Sequence, residues 1–158
     1  MGLGLRRATL FVRDLVLSQR FYQTAFGLSV YRALDVDLSR VPDFPVGPGG
    51  PATGQAKLVI LRGSDPLVGM VGLMQMIAPE LPDARHDVRR LGAGSVALVL
   101  AVGDADAAAM AVAAHGGEII QPVKNARNIG DAAGEFTAVK MFMAYDPDGH
   151  FLEVFQPL

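Results

Sequence analysis

The chain contains no cysteine. This absence excludes disulfides, zinc–thiolate sites, iron–sulfur clusters and cysteine nucleophiles. The net charge is also small. The sequence has 14 Lys and Arg and 16 Asp and Glu, which gives a net charge of −2. That balance provides no broad basic field for nucleic acid or anionic lipid, so we expect no nucleic-acid partner and no membrane partner.

Long hydrophobic runs and common catalytic motifs are missing as well. No segment reaches the roughly 18 uninterrupted apolar residues of a membrane-spanning helix, and no long apolar stretch precedes Arg6 and Arg7. We therefore expect a soluble, cytoplasmic protein. The motifs G-x-x-x-x-G-K, G-x-G-x-x-G after a strand, H-E-x-x-H and G-x-S-x-G do not occur. The sequence therefore does not indicate any of the activities that these motifs support.

What the chain does have is enough apolar material for a core. Its 158 residues are 51% hydrophobic, which excludes global disorder and fits one domain or two small units that share a core. Both halves show the same order of predicted elements. In each half a short apolar strand ends at an aspartate suited to cap a helix, and a helix follows that ends at glycine. The aspartates are Asp14 and Asp104, and the helices are predicted over 15–26 and up to residue 114.

Three further strands follow each helix, so each half reads β-α-β-β-β. We predict an α+β fold in which residues 1–158 form one domain built of two such units, 5–77 and 95–158, joined by a linker at 78–94. Two loops interrupt the strands, a Pro- and Gly-rich one over 41–54 and one rich in Asn, Gly and Ala over 124–135. Whether the first closes over a cavity as a lid is left open.

Two stretches of the sequence resemble the signatures of a known superfamily. One is Ala8–Leu15 with the phenylalanine, tyrosine and glycine positions of the helix that follows, and the other is Asp146–Val154, which reads DPDGHFLEV. With the duplicated unit, they resemble the vicinal oxygen chelate superfamily of glyoxalase I, bleomycin-resistance proteins, extradiol dioxygenases and methylmalonyl-CoA epimerase. The resemblance implies a concave mixed sheet with helices on its outer face, and it leaves the activity open because one fold hosts many reactions.

The resemblance also implies where a metal would bind. In the superfamily, four inward-facing side chains, usually His, Glu or Gln, hold one divalent metal, two from each unit. The matching positions here are Arg7, Gln75, Ala97 and Glu153. Only Gln75 and Glu153 could ligate, and a guanidinium would repel the cation. We therefore predict no cofactor, with a divalent metal as the disfavoured alternative.

An ion pair is the predicted replacement for the metal. Arg7 and Glu153 are expected near each other on the concave face, where a bidentate bridge satisfies both. The bridge could be purely structural, or Arg7 could grip an oxygen of a ligand while Glu153 moves a proton. Strand alternation adds an apolar wall to this face. Its residues are Thr9, Phe11, Ala97, Val99, Ala101, Phe151 and Phe155.

Methionines and histidines are secondary candidates. Met70, Met74 and Met76 are expected to fill the core rather than to form an adaptable ligand wall. His115 is expected at the end of the second helix, where a cation favours the dipole, and His150 is expected to be exposed after a tight turn. His86 would matter only if the linker folded over the cavity.

Two classes of function stay open at this point. The first is a metal-free protein that binds a small apolar or aromatic molecule with one anionic group, as drug-resistance members of the superfamily do. The second is an enzyme of the superfamily, a lyase, isomerase or dioxygenase, with Glu153 as base and Arg7 or a non-standard divalent metal as electrophile. For either class a homodimer is expected, as is common among such proteins.

Overall fold

A computed structural model describes residues 5–40, 54–65, 69–82, 91–129 and 136–158. It contains two four-stranded mixed sheets and two α-helices, which confirms the α+β fold of two tandem β-α-β-β-β units. By its contacts the chain divides into unit one, Met1–Gln19 with Gly27–Arg85, and unit two, Arg20–Phe26 with His86–Leu158. The second half of the first helix therefore belongs to unit two. Residues 83–90 of the predicted linker 78–94 lie outside the described residues.

Unit one is built on a sheet whose strand order is β1-β4-β3-β2. β1 and β4 are parallel, and the other neighbours are antiparallel. A 3-10 helix follows β2 at Leu38–Arg40. The elements are β1 (Arg7–Phe11), α1 (Leu15–Phe26), β2 (Ser29–Asp37), β3 (Gln55–Arg62) and β4 (Met70–Ala78).

The sequence signals at the ends of α1 are confirmed. Asp14 Oδ1 accepts hydrogen bonds from the backbone N–H groups of Val16 at 2.9 Å and Leu17 at 3.0 Å, which satisfies two of the free donors of the first turn. Gly27 follows the last helical residue with φ 65°, a left-handed conformation that glycine adopts at little cost.

Unit two repeats this architecture with strand order β5-β8-β7-β6. β5 and β8 are parallel, and α2 packs against β6, β7 and β8. Asp104 caps α2 by accepting a hydrogen bond from Ala107 N at 3.0 Å, and His115 stands at its C-cap as expected. None of the described helices is long and apolar enough to cross a membrane. The elements are β5 (Ala97–Ala101), α2 (Ala105–Ala114), β6 (Glu118–Ile129), β7 (Phe136–Tyr145) and β8 (Phe151–Pro157).

The loop expected over 124–135 is wrong in its first half. β6 continues to Ile129, and its last six residues pair with β7. Asn, Ala and Arg are weak strand formers, but a neighbouring strand that supplies backbone partners outweighs that preference. Residues 130–135 and all but Gly54 of the expected loop 41–54 lie outside the described residues.

The methionines of β4 fill the core, as expected. Met74 and Met76 are 5% and 4% exposed, and Met70 packs against the cluster to which they belong. They share their face of the sheet with β3 side chains because paired residues of neighbouring strands point the same way. The other buried members of this cluster are Leu38, Ala56, Leu58 and Ile60.

Candidate functional site

One face of the unit-two sheet is exposed and largely apolar, and we call it the open face. Alternation along β8 buries Leu152 and Val154 completely and turns Phe151, Glu153 and Phe155 to the other side, where they are half-buried. β5 runs parallel to β8 in direct register and adds its alternate residues to that side. The β5 residues are Ala97, Val99 and Ala101, all exposed, with Val99 at 56%.

Glu153 lies in an apolar row of the open face. It pairs in register with Val99 of β5 on one side and with Met143 of β7 on the other. Within unit two, the described residues give its carboxylate no hydrogen-bond or ion-pair partner. A half-buried carboxylate in this setting is able to accept hydrogen bonds from a bound molecule or to take a proton from it.

Gln121 extends the same row into β6, and the sequence analysis did not single it out. It pairs in register with Met143, and the register of β6 shifts on both sides of it. Its Nε2 atom is buried and has no hydrogen-bond partner. The sequence signal that could have drawn attention to it is Pro122, because proline within a strand marks an irregularity of the ladder.

In unit one, Arg7 and Thr9 lie together over a glycine. Arg7 Nε donates a hydrogen bond to Thr9 Oγ1 at 2.9 Å. A Cβ atom placed on Gly72 would stand 2.9 Å from both Arg7 Cδ and Thr9 Oγ1. Because glycine has no Cβ atom, Gly72 leaves room for the side chain of Arg7 to lie across the strand. Phe11 continues the same face of β1 and is 43% exposed.

The structure corrects the expectation that Gln75 shares the face of Arg7. Gln75 Oε1 accepts a hydrogen bond from Leu15 N at 3.2 Å, and Gln75 Nε2 donates one to the Arg13 carbonyl at 2.9 Å. Because Gln75 is three residues after Gly72, alternation turns it to the opposite side of β4. Its amide holds the start of α1, so it is not available to line the expected cavity or to ligate a metal there.

Unit two contains the counterpart of this glutamine. Gln156 Oε1 accepts a hydrogen bond from Ala105 N, the first residue of α2, at 3.0 Å. Phe11, the last residue of β1, pairs with Met74, and Gln75 comes next. Ala101, the last residue of β5, pairs with Phe155, and Gln156 comes next. Counting back three residues from each glutamine makes Gly72 the counterpart of Glu153. The aligned segments GLMQ and EVFQ carried this signal in the sequence.

The expected pairing of Arg7 with Glu153 stays a prediction. Arg7 lies in unit one and Glu153 lies in unit two. Within unit one, the described residues give Arg7 the single hydrogen bond to Thr9. The described residues thus include an exposed arginine in unit one and a carboxylate that has no partner within unit two.

A second group of polar side chains surrounds the turn between β7 and β8. Asp146 is 4% exposed, and its Oδ2 accepts hydrogen bonds from Tyr22 Oη at 2.8 Å and from His150 Nδ1 at 2.9 Å. Its Oδ1 accepts backbone N–H groups of Asp148 and His150 at 2.9 and 2.8 Å. Both oxygens of the buried carboxylate therefore accept hydrogen bonds, and the bond from Tyr22 connects α1 to the turn.

The expectation that His150 is exposed is wrong. Its side chain is 29% exposed and bonded to Asp146. Burial alone would lower the pKa of His150, but the hydrogen bond to Asp146 and the negative charge of that residue outweigh it, so the pKa is raised. Burial and then the charge of Asp146 raise the pKa of Tyr22, which keeps its hydroxyl a donor.

The family of the chain follows from comparison with known proteins. A family model described as Glyoxalase/Bleomycin resistance protein/Dioxygenase superfamily matches residues 4–154. The chain belongs to this superfamily. A search of curated proteins found no significant match. The resemblance to the vicinal oxygen chelate proteins is thereby confirmed.

Solved structures of glyoxalase and glyoxalase/bleomycin resistance proteins share the fold. A glyoxalase family protein from Bacillus cereus matches with a TM-score of 0.70 and 14% identity, covering 100% of this chain and 96% of that one. A glyoxalase/bleomycin resistance protein from Albidiferax ferrireducens T118 matches at 0.54 and 21%, covering 96% and 98%. Glyoxalase I from Zea mays matches at 0.60 and 18%, covering 95% of this chain and 44% of that one. The chain thus spans less than half of the maize enzyme.

The divalent metal that the superfamily implies does not fit the residues present. With Gly72 as the counterpart of Glu153, the four matching positions are Arg7, Gly72, Ala97 and Glu153, and only Glu153 has a ligating atom. The described residues contain no group of three or more His, Cys, Asp or Glu that could hold a metal ion. The residues at these four positions therefore do not provide the donor set of a metal site.

The contact between His150 and Asp146 predicts a pH-dependent stability. Because the folded-state pKa of His150 is raised, its stabilising contribution is complete below its ordinary pKa of about 6.5 and is lost as the pH rises through the higher folded value. We expect His150→Asn to lower the free energy of unfolding more at pH 5.5 than at pH 8.5. Urea denaturation of both proteins at the two pH values measures this difference. Equal losses at both values would contradict the assignment.

Proposed function

We propose that this protein binds a small apolar or aromatic molecule that carries an anionic group, without the metal centre usual in its superfamily. The observation that carries the proposal is the donor set of the four matching positions. An arginine, a glycine and an alanine stand at three of them, and none supplies an oxygen or nitrogen lone pair for a metal. Membership of a superfamily that includes bleomycin resistance proteins agrees with a binding role.

The open face supports an apolar ligand. Val99 is a large apolar side chain that is more than half exposed, and Ala97 and Ala101 flank it on the same strand. Phe151 and Phe155 stand beside them on β8 and are half-buried. Contiguous exposed apolar surface is uncommon in soluble proteins unless something binds to it, and aromatic side chains are typical of ligand sites. Phe11 adds an exposed ring in unit one.

Arg7 supports the anionic group. An arginine guanidinium is a cation with a planar fork of N–H donors, which suits a carboxylate or sulfonate. The hydrogen bond from Nε to Thr9 and the space above Gly72 define the path of the side chain. The terminal nitrogens are the donors left for an anion.

The absence of a required metal is tested by metal analysis combined with a binding assay. The probe is 1-anilinonaphthalene-8-sulfonate, an aromatic anion whose fluorescence reports binding. After incubation with zinc and nickel and removal of the excess, we expect far less than one equivalent of metal per chain and a probe affinity that EDTA does not change. One tightly held equivalent, or loss of probe binding with EDTA, would overturn the metal-free proposal.

The role of Arg7 is tested with a matched pair of variants. Arg7→Gln removes a charge-assisted contact and is expected to weaken binding of the sulfonate probe by about tenfold or more. Arg6→Gln makes the same change of charge at the exposed residue just before β1 and should leave the affinity near its original value. Equal weakening by both variants would mean that only net charge matters.

An enzyme of the superfamily is the second candidate function, favoured by the unpaired, half-buried carboxylate of Glu153. In that case Glu153 is the base that takes a proton from a carbon atom of the substrate and returns one to it. Exchange of the C–H protons of hydroxyacetone with D2O, followed by NMR, tests for this activity. Glu153→Gln should abolish the exchange and keep binding of the sulfonate probe. If the original protein exchanges these protons no faster than buffer does, the proposal that it acts as an enzyme on this compound is contradicted.

A further inference from the structure

Gln121 occupies an unusual place in the unit-two sheet. The pairing of β6 with β7 shifts register between Ile119 and Gln121 and again between Gln121 and Lys124. Gln121 is thus an in-register residue between two irregularities. Bulges bend a strand and redirect the side chains next to them, and they occur often beside functional sites.

The amide of Gln121 is a buried donor without an acceptor. Its Nε2 atom is the one side-chain nitrogen or oxygen of the described residues that is shielded from solvent and makes no hydrogen bond. Folded proteins pair nearly all such groups, because a buried donor that loses water and gains nothing destabilises the fold. Leaving this donor unpaired is a cost that a ligand oxygen would remove when the side chain turns its amide toward the open face.

One row of the open face contains a hydrogen-bond donor, the amide of Gln121, and a hydrogen-bond acceptor, the carboxylate of Glu153. Gln121 pairs in register with Met143, and Met143 pairs in register with Glu153. Two strand spacings separate the backbones of Gln121 and Glu153 by about 10 Å. The donor is at one end, the acceptor is at the other, and the thioether of Met143 lies between them. This arrangement matches a flat apolar molecule that has an acceptor oxygen at one end and a hydrogen-bond donor at the other.

We propose that Gln121 is a ligand-binding residue whose amide N–H donates to a carbonyl, carboxylate or sulfonate oxygen of the small molecule that unit two binds. The inference rests on the proposed binding function and adds the polar group by which the ligand is oriented. A site built to bond an oxygen discriminates strongly against an analogue that lacks it, because the protein donor then stays buried and unpaired. Gln121 therefore favours acceptor-bearing ligands over purely apolar ones of the same shape.

Two fluorescent probes that differ in one group test this proposal. The first is 1-anilinonaphthalene-8-sulfonate, and the second is N-phenyl-1-naphthylamine, which has the same aromatic rings and no sulfonate. Gln121→Met keeps the length of the side chain and removes the donor. We expect it to weaken binding of the sulfonate probe by about tenfold, the equivalent of one hydrogen bond, and to leave the affinity for the neutral probe unchanged.

The stability of the ligand-free protein gives an independent readout. Because Gln121→Met removes an unpaired buried donor, we expect the melting temperature to rise by about 2 to 4 °C. Gln156→Met is the matched control, since Gln156 bonds to the start of α2 on the other side of the sheet. That variant should lower the melting temperature and leave both affinities unchanged. Gln121→Glu provides a second variant, and it should weaken only the sulfonate probe.

The outcomes separate this inference from the function on which it rests. If the original protein binds neither probe, the proposed binding function fails and the inference fails with it. If it binds both probes and Gln121→Met changes neither affinity or changes both equally, the role of Gln121 alone is overturned. A fall in the melting temperature of Gln121→Met would also overturn it, because the amide would then have a structural partner.

Discussion

A hydrogen bond between a strand glutamine and the first amide of a helix determines the arrangement of each unit. In unit one the bond joins Gln75 to Leu15, and in unit two it joins Gln156 to Ala105. Each bond fixes one residue of the strand on the helix side of the sheet. Since side chains alternate along a strand, every other residue of β4 and β8 then has a defined face. The assignment of Gly72 and Glu153 to equivalent positions depends on these two bonds.

Much of the fold could be predicted from the sequence because its signals are local. The helix that begins after Asp14 and ends before Gly27 is found where capping rules place it, and the duplicated element order is confirmed. The end of β6 could not be predicted in the same way. Its last six residues have weak strand propensity and are held by pairing with β7, which is a property of tertiary structure.

The candidate site was less predictable than the fold. Parity along β5 and β8 correctly gathers Val99, Phe151 and Glu153 on one face, because alternation follows from the sequence once a strand is known. The expected place of Gln75 is wrong because an amide side chain does not by itself fix the face of the strand, whereas the internal repeat aligns Gln75 with Gln156 on the helix side. The sequence signal beside Gln121 is Pro122, which indicates an irregular strand but not a binding residue. The significance of Gln121 lies in burial without a partner, which only coordinates show.

The replacement at the metal positions changes what the fold is able to do. A metal site needs several lone pairs directed at one point, and each position that loses its donor reduces the affinity for the cation. The guanidinium of Arg7 goes further, since it brings a positive charge with no lone pair. The same residue is well suited to an anion. Under the proposed function, the position that holds a cation in the superfamily would instead attract the anionic group of a ligand.

The two groups of polar residues in unit two show what structure alone requires. Around Asp146, a buried carboxylate accepts two side-chain and two backbone donors, so burial costs are offset within the protein. The donor of Gln121 has no such offset, and neither does the carboxylate of Glu153 within its unit. A chain that satisfies one buried polar group so completely is able to satisfy others. For Gln121, this contrast within the described residues supports the proposal that the partner of its amide is a bound ligand.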